Sequence, residues 1–341
     1  MHRQARLSEA SLPAYLERVG LVSPGEAVCV EPLGDGNINW VRRFRTRAGT
    51  RVVKQARPEL ERFPQYRTST ERIAFEARFY ETVASLDLEG VCPRVIHFDP
   101  ADCVLILPDL CPAERLDAAL ARGADVRAAA AALGRFLGRV HAATRGSELA
   151  ARFANDGMRR LHGEHIFLLP FRPNEFPLPP RLRQRARVIQ ADAGLVARID
   201  AAYARYLEPR GGLVHGDVQA ANVLLTPAGP KLLDAEIAHV GDPAFDLGQL
   251  VAHLCLPGVA RGDPRPGRDA ARSAWEAYGQ AWAGAPPPAF SDAAPYAGIE
   301  MLRRALGAAR LPAVEGEEAA LAVIAAGLRL VADPPASPDG I

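Results

Sequence analysis

The chain has 341 residues, 48% hydrophobic and 24% charged, with a formal net charge of +1. That length holds one large domain or two moderate ones, and the composition is that of a globular protein. Near-neutral charge excludes a general nucleic-acid binder; no apolar run reaches bilayer length; the opening MHRQARLSEASLPAYLERVG lacks the apolar core of a signal peptide.

A cytoplasmic protein without nucleic-acid or membrane partners is therefore expected. The five cysteines (Cys29, Cys92, Cys103, Cys111, Cys255) form no C-x-x-C pair and read as reduced thiols. Of 41 basic side chains only Lys54 and Lys231 are lysines. A lysine kept against such an arginine bias fits a need for a compact point charge.

Taken in order, residues 7–22 read as a short amphipathic helix with Leu12, Tyr15, Leu16 and Val19 on one face. Three strands follow, near 28–30, 40–45 and 50–55, as an antiparallel meander. The turn between the first two, Gly34-Asp35-Gly36-Asn37-Ile38-Asn39, can expose backbone N–H groups to phosphates, although such a turn is more often a plain hairpin. A helix over 70–86 carries the stripe Ile73, Tyr80 and Val83, with Glu76 in line. A carboxylate there needs either water at the stripe's edge or a partner, and Lys54 on the third strand is the natural one.

Strands over 91–98 and 103–107 precede a break at Pro108-Asp109-Leu110-Cys111-Pro112. Beyond it the chain is mainly helical. Residues 145–180 read as irregular, 181–208 as one periodic helix, 256–267 as a loop, and 269–283, 292–311 and 315–332 as helices. The expected organisation is an N-terminal lobe over 1–108, a helical lobe over 109–333 and a frayed tail over 334–341.

The stretch LVHGDVQAANVLLTPAGPKLLDAEIAHVGDPAFDLGQ, residues 213–249, concentrates the polar chemistry. Its apolar runs flank the turn Thr226-Pro227-Ala228-Gly229, so a hairpin brings Asn222 and Asp234 side by side, with Glu236 adjacent. Such an oxygen set suits a hard divalent cation, magnesium carrying phosphates above all.

The Gly-rich turn, strand lysine, helix glutamate, H-G-D-x4-N and D-x-E occur in protein-kinase-like order. Over residues 25–312 the chain resembles the aminoglycoside phosphotransferase and choline kinase superfamily of small-molecule kinases, nearest to its 5-methylthioribose kinase branch. The resemblance implies an α+β, bilobal protein-kinase-like fold with a small antiparallel β-sheet lobe and a larger helical lobe. It implies ATP and Mg2+ as cofactors and a small-molecule hydroxyl as acceptor, and it is compatible with a homodimer.

By the same resemblance, Asp217 accepts the substrate's proton, while Asn222, Asp234 and Glu236 hold the metal. Lys54, fixed by Glu76, holds nucleotide phosphates that Gly34, Gly36 and Asn37 cover. Leu107, Asp109 and Leu110 form the hinge that reads the base. His215 and Asp246 brace the catalytic loop. Arg303 and Arg304 match an arginine pair beside the transferred phosphate and sugar; read alone, they also fit a solvated helix face. Gly216 replaces the arginine of protein kinases, which points to a metabolite acceptor.

Asn222 stands where methylthioribose kinases commonly have serine, and Trp40, Trp275 and Trp282 are isolated rather than paired. The implied function is phosphorylation of methylthioribose or a similar sugar. Aminoglycoside, amino-alcohol or other sugar kinases of the superfamily are the alternatives, and a nucleotide-binding pseudokinase is the alternative of another class.

Overall fold

A computed structural model describes residues 4–33, 39–59, 68–146, 148–284 and 286–341, which divide into two compact units. The first comprises residues 1–84 and 92–111, the second residues 85–91 and 112–341.

The first unit contains α1 (Leu12–Arg18), β1 (Cys29–Pro32), β2 (Trp40–Thr46), β3 (Gly49–Gln55), α2 (Arg72–Val83), β4 (His97–Asp99) and β5 (Val104–Pro108). Its sheet is antiparallel throughout, in the order β1-β2-β3-β5-β4. The first three strands form the expected meander, and β5 closes against β3 with Lys54 opposite Leu105. Strand periodicity then sorts the side chains of β3. Val53 joins the core that α1 forms with Trp40, Phe44, Val104 and Ile106 through Leu12, Tyr15 and Leu16. Gln55 points the same way and binds the N-terminal segment, accepting from Leu7 N at 3.0 Å and donating to Ala5 O at 2.7 Å. Lys54 between them points to the opposite face. The strand expected over 91–98 shortens to His97–Asp99: Pro93 has no N–H to give a ladder, and the Val91 carbonyl accepts from Leu232 N at 2.8 Å.

The second unit runs β6 (Glu114–Arg115), α3 (Leu116–Ala121), α4 (Arg127–Thr144), α5 (Leu149–Arg152), α6 (Asp156–Gly163), α7 (Pro180–Ala191) and α8 (Ala193–Leu207). It continues with β7 (Gly212–Val214), β8 (Val223–Thr226), β9 (Gly229–Leu232), β10 (His239–Gly241), α9 (Pro243–Ala260), α10 (Arg265–Ala281), α11 (Phe290–Leu306) and α12 (Glu317–Ala332). β7 pairs with β10, and β6 with the β8–β9 hairpin. Among the described residues no helix is long and apolar enough to cross a membrane.

Four expectations change here. The single helix over 181–208 is two, because Asp192 interrupts it and caps α8 by accepting from Leu195 N at 3.0 Å. Residues 145–180 hold α5, α6 and a π-helical turn, Glu164–Leu168. α9 carries on through Pro257 to Ala260, into the expected loop. The tail is packed rather than frayed: Ile341 is 8% exposed, and Asp339 accepts from Arg272 Nε at 3.0 Å.

Helices α4 and α10 approach closely because α4 presents Gly134 and Gly138 one turn apart. A Cβ at Gly134 would meet the Ala274 carbonyl oxygen at 2.1 Å, and one at Gly138 the Tyr278 oxygen at 2.4 Å. Backbone cannot give way as a flexible side chain can. Gly134→Ala is therefore expected to lower stability by about 1–3 kcal/mol in denaturant unfolding. Gly279→Ala on α10, with nothing within 4 Å of its Cβ position, should raise it by about 0.5–1 kcal/mol. Equal effects at the two positions would contradict close helix contact as the cause.

Candidate active site

In the first unit, Lys54 Nζ lies 2.7 Å from Glu76 Oε2, with the two side chains 7% and 1% exposed. Tyr80, one turn along α2, donates its hydroxyl to Glu76 Oε1 at 3.0 Å. Glu76 therefore does not reach water at the edge of its stripe. Asp109 is occupied by Arg43, whose Nε lies 2.9 Å from Oδ2, and it also accepts from Cys111 N at 3.3 Å. Its side chain is thus committed to Arg43 and to the turn that follows. Gly34, Gly36 and Asn37 lie outside the described residues.

In the second unit, Asp217 sits on the loop after β7. Asp246, from the first turn of α9 and fully buried, holds that loop by accepting from His215 N at 2.7 Å and Gly216 N at 2.9 Å. His141 Nε2 lies 3.2 Å from the same carboxylate, and Tyr278 OH lies 3.2 Å from His141 Nδ1. Burial alone would raise the Asp246 carboxyl; His141 and the loop N–H groups outweigh it and hold it below the usual carboxylate range. Burial also pushes the His215 imidazole down, against the pull of nearby carboxylates, and its Nδ1 accepts from Asp217 N at 3.2 Å. Gly216 turns the loop at φ +83°, where a Cβ would stand 2.8 Å from Ile237 O. Only glycine fits.

Asp217 itself is held by one oxygen. Oδ2 accepts from Asn222 Nδ2 at 2.8 Å and Gln219 Nε2 at 2.9 Å. Oδ1 is buried and has no hydrogen-bond partner among the described residues. With the Asn222 amide nitrogen donating to Asp217, its carbonyl oxygen remains to accept or ligate. The β8–β9 register places Val223 opposite Leu232, and Leu233 N donates to Asn222 O at 2.8 Å, so the hairpin ends meet. Asp234 follows in the left-handed region at φ +64°, which a short polar side chain tolerates. Carboxylate oxygens of Asp234 and Glu236 lie within 4.8 Å of each other. An all-oxygen set of this kind suits Mg2+.

Arg303 and Arg304 are 6% and 5% exposed, so they are not a solvated helix face. Helical spacing puts Glu300 beside both. Glu300 accepts from Arg303 Nε at 2.6 Å and Arg304 Nε at 2.7 Å, and His253 Nε2 lies 3.0 Å away. Burial opposes its ionisation, but the two guanidiniums prevail and hold it well below the ordinary range. Arg304 Nη2 also donates to Gln219 Oε1 at 2.6 Å, so one amide joins the arginine pair to Asp217. Sequence reasoning missed Gln219, Glu300, His253 and His162, whose Nε2 lies 3.7 Å from Asp217 Oδ1. Glu300 alone had a local signal, a carboxylate three and four residues before two arginines.

Residues 30–288 match the family described as the phosphotransferase enzyme family. The chain belongs to that family. This phosphotransferase is 24% identical to a methylthioribose kinase of Bacillus cereus (strain ZK / E33L) over 338 residues, 89% of this chain and 85% of that one. It is 28% identical to a methylthioribose kinase of Cronobacter sakazakii over 264 residues, covering 71% and 64%. In fold, the phosphotransferase is similar to a choline/ethanolamine kinase family protein from Mesorhizobium loti, with TM-score 0.56 and 17% identity over 94% of this chain and 98% of that one. A choline kinase from Streptococcus pneumoniae gives 0.54 at 14% identity, over 95% and 98%. The phosphotransferase is thus a small-molecule kinase of the α+β, protein-kinase-like class.

Removing Glu300 from this phosphotransferase leaves two buried guanidiniums without their counter-charge. Glu300→Gln is expected to cost about 3–5 kcal/mol in equilibrium unfolding near pH 7. Because the folded chain holds this proton more weakly than the unfolded chain, the contribution is complete above the unfolded value of about 4.3 and is lost as pH falls below it. Wild type should therefore lose more stability than Glu300→Gln between about pH 5 and pH 3. Parallel acid profiles would contradict the assignment.

Proposed function

We propose that the protein transfers the γ-phosphoryl group of ATP, bound as its magnesium complex, to a hydroxyl of a small sugar, with 5-methylthioribose favoured. The observation that carries this reading is the state of Asp217: one oxygen pinned by two amides, the other buried and unpartnered among the described residues. A carboxylate so placed is ready to accept one proton from an incoming hydroxyl. As the acceptor oxygen–phosphorus bond forms, the bond from the γ-phosphorus to the ADP oxygen breaks, and the hydroxyl proton passes to Asp217. The transition state is loose, so positioning and charge neutralisation supply most of the acceleration.

In the first unit, Lys54, positioned by Glu76, is assigned to the nucleotide phosphates, and the main chain of Leu107–Leu110 to the base. In the second, Asn222, Asp234 and Glu236 are assigned to the metal, which when bound supplies charge neutralisation for the phosphates. Nucleotide use is further supported by a solved structure of similar fold, LicA in complex with AMP, at TM-score 0.53. The sugar assignment draws on the methylthioribose kinases at 24–28% identity. It also draws on charge: Arg303 and Arg304 near Asp217 disfavour a polycationic acceptor.

A panel of acceptors tests the reading, with labelled ATP and magnesium and with 5-methylthioribose, ribose, choline, ethanolamine and an aminoglycoside compared by kcat/KM. Methylthioribose is expected to lead by roughly 10-fold or more. Preference for a cationic acceptor would overturn the sugar assignment, and transfer to none would overturn the kinase reading of Asp217.

A further inference from the structure

Beside Asp217 stands a polar group that neither phosphate nor magnesium binding requires. His162 comes from the last turn of α6, and its Nε2 lies 3.7 Å from Asp217 Oδ1, beyond hydrogen-bond reach. The two side chains are 13% and 14% exposed. Asp217 Oδ1 and His162 Nδ1 are both buried without a hydrogen-bond partner among the described residues. Burial pushes the His162 imidazole down to about 4, with Asp217 opposing and Arg303 adding to the effect. The ring is neutral near pH 7 and does not close on the carboxylate as an ion pair. The tautomer with its proton on Nε2 turns an N–H dipole towards Asp217, which the charge there favours.

The position of this ring is held from several sides. Asn155, at the start of α6, donates to Glu236 O at 2.8 Å, and Tyr206 OH donates to Arg159 O at 3.1 Å. Gly163, next to His162, lies where a Cβ would be 2.6 Å from the Tyr203 ring and 2.9 Å from that of Tyr206. The π-helical turn that follows buries Phe167 against Tyr203, Tyr206, Phe245 and Tyr296, and such turns recur at functional sites. The His162 ring meets Phe245 edge-on at 6.5 Å. A neutral imidazole so fixed, with no hydrogen-bond partner among the described residues, is arranged for a ligand.

We propose that His162 and Asp217 together read a vicinal diol: Asp217 Oδ1 takes the proton of the hydroxyl that is phosphorylated, and His162 Nε2–H donates to the oxygen on the adjacent carbon. This rests on the reading of Asp217 as the base. The separation favours two oxygens over one. A single oxygen bridging both groups would be held at an acute angle. Two oxygens on adjacent carbons, themselves about a hydrogen-bond length apart, complete a four-sided figure with the pair. His162 keeps its proton throughout the transfer. An ammonium on the adjacent carbon has no lone pair for Nε2–H and adds positive charge beside Arg303 and Arg304, so an amino alcohol fits poorly. The acceptor class is a neutral sugar or polyol with neighbouring hydroxyls.

The test compares wild type, His162→Leu and His162→Asn on 5-methylthioribose, or on the best sugar of the panel, and on its monodeoxy analogues lacking one hydroxyl next to the phosphorylated one. Wild type is expected to disfavour the relevant deoxy analogue by roughly 10–100-fold in kcat/KM. His162→Leu should lose a similar factor on the diol and almost nothing more on the deoxy analogue, with KM for magnesium-ATP unchanged. His162→Asn, which keeps an N–H donor, should recover part of the loss. Retained discrimination in His162→Leu, or equal losses on both acceptors, overturns the proposal. If wild type accepts only diol-free amino alcohols, the proposal falls while the kinase reading stands; transfer to no acceptor at all removes both.

Discussion

One buried carboxylate holds the loop of residues 215–217 in place. Asp246 reaches from the first turn of α9 to two successive backbone N–H groups of the loop and is matched by His141 behind it. A charge this deep persists only because every side of it is answered. It lets the sharp turn at Gly216 form without drift, so that Asp217 emerges in one orientation. The side-chain contacts of Asp217 then complete the job. Asn222 and Gln219 fix one oxygen and leave the other. The site is thus built backwards from the core of the second unit, with the Asp217 carboxylate as its last element.

The same logic governs the arginine pair. Two guanidiniums buried side by side repel each other, and Glu300 makes the arrangement tolerable. Gln219 carries that cluster forward to Asp217 through a single amide, accepting from Arg304 and donating to the carboxylate. An amide can do both at once; a carboxylate or a methylene at that position could not. Positive charge is therefore held close to the Asp217 carboxylate through an intervening amide. That balance suits the proton-accepting role proposed for Asp217.

Much of this was legible in the sequence because it depends on short spacings. Lys54 stood out as one of two lysines against an arginine bias, and one helical stripe picked out Glu76; both readings need only composition and local periodicity. The hairpin that joins Asn222 to Leu233 follows from two apolar runs and a turn. The arginine pair was visible, but its burial was not, since a helix with charges three and four apart reads equally as a wet face. His162 was out of reach. It lies in a stretch whose prolines and short helices break periodicity, and its relation to Asp217 spans 55 positions with no local trace. Asp192, read as one residue within a long helix, instead ends one and caps the next.

The central claim is that Asp217 acts on the acceptor's proton and not on the nucleotide. Replacing Asp217 by Asn keeps the shape and removes the base. Phosphorus-31 NMR of the magnesium-ATP reaction with 5-methylthioribose, paired with calorimetric titration of nucleotide, separates the two roles. The account predicts a phosphate monoester formed in step with ADP by wild type, a loss of roughly 100- to 10,000-fold in Asp217→Asn, and nucleotide affinity left nearly unchanged. Undiminished turnover in Asp217→Asn, or a collapse of nucleotide binding that accounts for the loss, would contradict it.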